Sequence, residues 1–170
     1  MFEGKQDLEK QLVRRLRGYQ AKDARFVVLR DQDAADCKLV KSRLVNKCHE
    51  AGRSDALIRI ACHELESWYL ADLAAVEKGL AVKGLARLQN KRQYRDPDRV
   101  ASPARVLMRL APRYQKRAGS RDIGPHLNLD NQRSRSFVRF VSSIRDLAMT
   151  ENRDTRAIHK GMVKPAVDFK

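Results

Sequence analysis

Two short apolar runs, RFVVLR at 25–30 and ALIRIAC at 56–62, flank a single helical pattern over 37–50. Both runs are rich in apolar and β-branched residues, as buried strands are. The pattern between them turns Leu39, Val40, Leu44, Val45 and Cys48 inward, with Asp36 placed to cap its start and Gly52 to close it. Strand, helix and strand in so short a span make a βαβ unit with parallel strands and a right-handed crossover. No other feature constrains the fold as strongly, because a parallel pair delivers both strand ends to one edge of the sheet. An amphipathic helix over 6–20 precedes the unit, with Leu8, Leu12, Leu16 and Tyr19 on one stripe. A further helix begins near Glu64 and runs through Leu65, Trp68, Tyr69, Leu70 and Leu73. After residue 80, helices are expected over 103–111 and 136–148, the latter with Phe137, Phe140, Val141 and Ile144 on one side, among loops punctuated by proline and glycine. The expected organisation is a βαβ core over 1–80, a basic, mostly helical extension of the same domain over 81–148, and a flexible tail over 149–170.

In a parallel sheet, ligands bind where the strands end and the loops lead into helices. The first strand ends in Arg30-Asp31-Gln32-Asp33 and the second in Cys62-His63-Glu64-Leu65-Glu66, so both bring carboxylates to the same edge. Asp31 and Asp33 repel each other unless a cation lies between them. Oxygen donors of this kind suit a hard ion such as Mg²⁺ (or Mn²⁺), which polarises a phosphoryl oxygen and activates water. The expected metal ligands are Asp31, Asp33 and Glu64, with Glu66 as a further candidate catalytic group; Glu66 equally suits the first turn of the next helix, as Asp36 suits a cap. Asp-x-Asp after a strand also occurs in haloacid-dehalogenase-type phosphatases, but their pattern calls for Thr or Val where Ala35 stands.

The chain carries a net charge of +15, unevenly spread. Residues 1–80 hold 15 Lys and Arg against 13 Asp and Glu, whereas 81–140 hold 15 against 4. Bases concentrated in the middle of a chain predict a surface for a polyanion, DNA or RNA, or for an acidic partner. Lys91, Arg92, Arg95, Arg113, Lys116, Arg117 and Arg121 are the candidate phosphate contacts. Tyr94 and Tyr114 among them are candidates to stack on bases, and Ser134-Arg135-Ser136 before the last helix is a candidate phosphate-binding start. Cys37, Cys48 and Cys62 match no zinc spacing and read as buried thiols acting as small hydrophobes, Cys48 and Cys62 within apolar stretches. With no apolar run long enough to span a membrane and no hydrophobic leader, a cytoplasmic location is expected.

The stretches EGKQDLEKQLVRRLRGY, RFVVLRDQDAADC, LIRIACHELESWYLADLAAVE, KRQYRDPDRV and GSRDIGPHLNLDNQRSRSF resemble the TOPRIM-like bacterial family known as domain of unknown function 4276 (DUF4276). The resemblance runs from about residue 3 to 148. It implies a TOPRIM-like (Rossmannoid) α/β fold with a small parallel sheet and flanking helices, Mg²⁺-dependent nuclease activity, and pairing with an AAA- or ABC-type ATPase in phage-defence gene neighbourhoods. Glu3-Gly4 resembles the first TOPRIM motif. Relatives begin with an additional strand and helix, so on that alignment Glu3 falls in a later loop and the family's first metal acid has no counterpart. A non-catalytic subunit that binds nucleic acid or an ATPase is the alternative expectation.

Overall fold

The computed structural model describes residues 4–21 and 23–161, the side chains of Lys5 and of 151–161 excepted. Glu3 and residues 162–170 lie outside the described residues. The elements are α1 (Lys5–Arg17), β1 (Val27–Asp31), α2 (Cys37–Glu50), β2 (Leu57–Ala61), α3 (Glu66–Leu70), α4 (Leu73–Gly79), α5 (Pro103–Leu110), α6 (Lys116–Ile123) and α7 (Arg135–Gly161), with short 3-10 turns between several of them. β1 and β2 form a two-stranded parallel sheet in which Val27 lies opposite Leu57 and Asp31 opposite Ala61. The protein is therefore α/β, with a small parallel sheet and a mostly helical second half, as expected.

Alternation along the strands decides what packs on each face. Val28 and Ile58 face α1 and α2, where Leu8, Leu12, Leu16, Val40, Leu44 and Cys48 complete one core. Arg30 faces the same way, and its nearly buried guanidinium pairs with Glu9 of α1 at 2.9 Å. Ala61 and Leu29 belong to the opposite core, with Trp68 of α3 and Phe137, Phe140 and Val141 of α7. Trp68 lies 5.3 Å from the Phe137 ring and 5.0 Å from Phe140, within the range of favourable aromatic pairs. A third core joins Tyr69, Leu70, Leu73 and Val76 to Leu107, Tyr114 and Ile123 of the basic half, so residue 80 does not separate two cores.

Several details depart from the sequence pattern. Asp36 caps α2 as expected, accepting from the backbone N–H of Lys38 and Leu39 at 2.8 and 2.9 Å, but Leu39, expected to face inward, is 61% exposed. Tyr19 is likewise exposed, its ring edge-to-face with Phe26. The helix expected to run from Glu64 through Leu73 is broken at Asp72, whose carboxylate caps α4 at Ala75 and also accepts from the Asn128 N–H at 2.8 Å. α6 was not legible as a helix. α7 continues to Gly161, so residues 149–161, read from sequence as the start of a loose tail, are helical. Among the described residues no helix is long and apolar enough to cross a membrane.

Candidate active site

The parallel register carries on past the strands. The Gln32 N–H donates to the Ala61 carbonyl at 3.0 Å and the Asp33 N–H to the His63 carbonyl at 2.7 Å. The two strand-end turns are thereby zipped together, and the acids of both stand at one edge of the sheet. Asp31 reaches across this seam: its Oδ1 accepts from the Leu65 N–H at 2.8 Å.

Around this seam Glu64 and Glu66 share one cation, the ammonium of Lys116, and Asp31 lies near enough to feel it. Lys116 Nζ lies 3.5 Å from Glu64 Oε1 and 3.7 Å from Glu66 Oε1, and its charge is felt at Asp31. Glu66 is 3% exposed, and its Oε1 also accepts from the Tyr114 hydroxyl at 3.0 Å. Glu64 Oε2 accepts from the Ala104 N–H at 2.9 Å, so Glu64 serves the open start of α5, where Ser102 makes no side-chain cap. Each carboxylate is thus held by a donor from a different element.

Burial and mutual repulsion govern the titration of the group. Burial, with the neighbouring Glu66, lifts the Asp31 carboxyl to about 6, against the pull of the Leu65 N–H and of Lys116. Burial works against the charge of Lys116 as well, but Glu66, Glu64 and Asp31 outweigh it and hold the ammonium above its ordinary range. Burial also pushes Tyr69 up to about 12 and Tyr114 higher still, with the Glu66 charge adding to both, so both phenols remain protonated hydrogen-bond donors. Asp33 joins through its backbone and through a weaker repulsion on Asp31; it takes a left-handed conformation with φ 57°.

These donors are all hard oxygens, which suits Mg²⁺ or Mn²⁺ by ligand type. The carboxylates are drawn to Lys116, however, and among the described residues no three His, Cys, Asp or Glu side chains form a ready ligand set. Asp31, Glu64 and Glu66 fit such an ion by chemistry, with the ion supplying the positive charge that Lys116 supplies now.

The bases expected to contact phosphate lie in several places. Lys116 belongs to the acidic centre. Lys91 and Arg92 line a shallow hollow of their own, while Arg113, Arg117 and Arg121 are exposed at and ahead of α6. Tyr94 and Tyr114 are each 4% exposed, which rules out the stacking expected of them. The N–H groups at the start of α7 are already engaged: Ser134 Oγ caps it at the Phe137 N–H, and the carboxylate of Asp98 accepts from the Ser134 hydroxyl and the Ser136 N–H. Of the three thiols Cys48 is buried, Cys62 half-buried and Cys37 exposed.

The sequence reading missed a cleft of about 910 Å³ beside the strand ends, lined by Gln32 and Cys62 and by eight Lys and Arg side chains. Of the expected phosphate contacts Arg95 lines it, as do Arg135 and Ser136 of the expected phosphate-binding start. Spacing held a usable signal: Lys38 and Lys41 are three apart in α2, and Arg135 and Arg139 are four apart in α7, so each pair shares a helix face.

The family model for domain of unknown function (DUF4276) matches residues 3–145. The chain belongs to that family. No curated protein and no solved structure matches it.

Proposed function

We propose that this member of the family is a metal-dependent phosphodiesterase acting on nucleic acid, with a TOPRIM-like arrangement of its acids. One observation carries the reading: past the ends of two adjacent parallel strands, Glu64 and Glu66 flank a single ammonium, Lys116, whose charge also reaches Asp31. Three carboxylates held this close are unfavourable unless a cation repays their desolvation and repulsion. When bound, Mg²⁺ or Mn²⁺ neutralises phosphoryl charge and lowers the pKa of its water.

The protein's own groups have distinct tasks. Asp31, Glu64 and Glu66 would hold the ion. The Tyr114 hydroxyl and the Ala104 N–H fix Glu66 and Glu64 in place, so little reorganisation remains when substrate arrives. Lys116, about half exposed, would turn to a phosphate oxygen once the ion takes its place among the acids. Asp33, at the rim of the seam, is the remaining candidate ligand.

The direct test is hydrolysis of labelled single- and double-stranded DNA and RNA with Mg²⁺, with Mn²⁺ and with EDTA. Metal-stimulated cleavage by the wild type, lost in Asp31→Asn and in Glu66→Gln, is the expected result. No metal-stimulated cleavage of any of these polymers would overturn the proposal.

A second reading has its own support. Because Lys116 already neutralises the acids, the centre would also serve a non-catalytic subunit that binds nucleic acid or an ATPase. Binding that is unchanged in Asp31→Asn, with no hydrolysis by the wild type, selects that reading.

A further inference from the structure

β2 is an edge strand, and its outer side is where the cleft lies. Leu57, Arg59 and Ala61 pair toward β1, as the Leu57 N–H on the Phe26 carbonyl and the Gln32 N–H on the Ala61 carbonyl show. The backbone of Ile58 and Ile60 therefore faces away from β1, and both residues line the cleft. α2 supplies one wall with Lys38 and Lys41, and α7 the other with Arg135 and Arg139. Arg59 lies on the α7 side, its guanidinium held by the Ser143 hydroxyl. Arg95, Arg99 and Arg133 complete the set from the loops.

The charge in this cleft is almost uncompensated. Two acids line it. Asp96 pairs with Arg99 at 3.0 Å, and Asp98 is occupied by Ser134 and Ser136. Among the described residues Arg99 is the one base of the eight with a carboxylate within ion-pair distance. Like charges gathered from two helices, a strand and two loops repel one another, and a bound polyanion relieves that repulsion. Six of the eight are arginines, whose planar forks grip phosphate oxygens in pairs.

We propose that this cleft, along the outer edge of β2 between α2 and α7, binds a single strand of nucleic acid through its phosphates. Its choice of polyanion rests on the reading of the acidic centre above, since Gln32 and Cys62 connect the two. A strand lying along β2 would run directly to Asp31 and Glu64. With a volume of about 910 Å³, the cleft suits a few nucleotides of one strand. A second copy of the chain is a poor occupant, because it would present the same positive edge.

The experiment is fluorescence anisotropy of labelled oligo-dT and of the matching duplex over a salt series. The variants are Arg135→Glu/Arg139→Glu in the cleft and Lys91→Glu/Arg92→Glu outside it, an equal change in net charge. Circular dichroism and a melting curve for each variant separate lost binding from lost folding, and Lys38→Glu/Lys41→Glu provides a second cleft variant on the opposite wall. The proposal expects tighter binding of oligo-dT than of duplex. It also expects about a tenfold or greater loss in the cleft variants, and a salt slope shallower by about 1.4 for two lost contacts to a single strand. Equal losses in cleft and control variants, equal affinity for duplex, or displacement by poly-glutamate as readily as by oligo-dT would each overturn it, the last pointing to an acidic protein instead. Cleft-dependent binding of oligo-dT by a wild type that shows no hydrolysis supports this proposal while removing the phosphodiesterase reading. Hydrolysis that persists in well-folded cleft variants with unchanged affinity does the reverse.

Discussion

Asp33 and His63 adopt the same left-handed backbone conformation, φ 57° and 55°, at equivalent points past two neighbouring strands, and the N–H of one donates to the carbonyl of the other at 2.7 Å. The His63 ring returns a contact from Nδ1 to the Asp33 carbonyl at 3.3 Å. This matched pair lets both chains turn sharply at one level, so that Asp31, Glu64 and Glu66 meet. A left-handed residue other than glycine carries a cost of about 1–2 kcal/mol, and such cost gathers where function needs a particular backbone path.

The two turns make a simple expectation for His63. His63→Gly removes the steric cost and loses the ring contact, leaving stability within about 1 kcal/mol of wild type. His63→Val forces a β-branched residue into the same conformation and costs roughly 2 kcal/mol or more. Urea melts of the two variants check this; equal stability would show that the turn does not hold position 63 left-handed in solution.

Asp31 gives a pH dependence with a definite sign. Its carboxyl lies near 6 in the folded chain and near 3.8 when unfolded. Between those values the folded chain keeps a proton that the unfolded chain has lost, so this group's contribution to stability falls as pH rises through the window. Above about 6 the ionised form remains a liability of about 3 kcal/mol. Asp31→Asn keeps an acceptor for the Leu65 N–H and removes the charge. It should melt several degrees above wild type at pH 7.5 and no higher than wild type at pH 3.5. A lower melting point at pH 7.5 would mean that Lys116 compensates the charge in full.

Magnesium should act in the opposite direction. A ligand that binds only the folded state raises its melting point, so millimolar Mg²⁺ is expected to stabilise the wild type at pH 7.5 and to have little effect on Asp31→Asn. Thermal shift with Mg²⁺ against matched NaCl measures this. Equal shifts in both proteins would place any bound ion away from Asp31.

Asp98 anchors the start of α7, and so one wall of the basic cleft. Asp98→Ala leaves the buried Ser134 and Ser136 without their shared acceptor and should cost about 2 kcal/mol, or some 4–8 °C in melting temperature. Asp98→Asn retains an acceptor oxygen and should cost less than half as much. The ordering of the two melting curves is the check.

Gly79 is where α4 meets α6. A Cβ there would stand 2.6 Å from the Asp122 carbonyl oxygen, which is backbone and cannot swing aside. Gly79→Ala should therefore destabilise by about 1–3 kcal/mol although alanine favours helix, because overpacking outweighs propensity. Gly52, with open space around its Cβ position but φ 72°, is a contrasting case in which backbone conformation alone sets the penalty for alanine.

Local regularities were readable from the sequence: the two strands, the helix between them with Asp36 as its cap, the parallel pairing, and hence the meeting of Asp31 with Glu64 and Glu66 at one edge. These follow from side-chain periodicity and from the handedness of short crossovers, which neighbouring residues encode. Tertiary structure alone decided that Lys116, some fifty residues along the chain, would be the cation among those acids, that Tyr94 and Tyr114 would be buried rather than offered to bases, and that Asp98 would cap a helix beginning at Arg135. It also brought bases from α2, β2, α7 and two loops into one cleft, while Lys91 and Arg92 of the basic middle stretch line a separate hollow. Electrostatic fields depend on distance through space, and distance along the chain does not reveal it once the chain has folded back on itself.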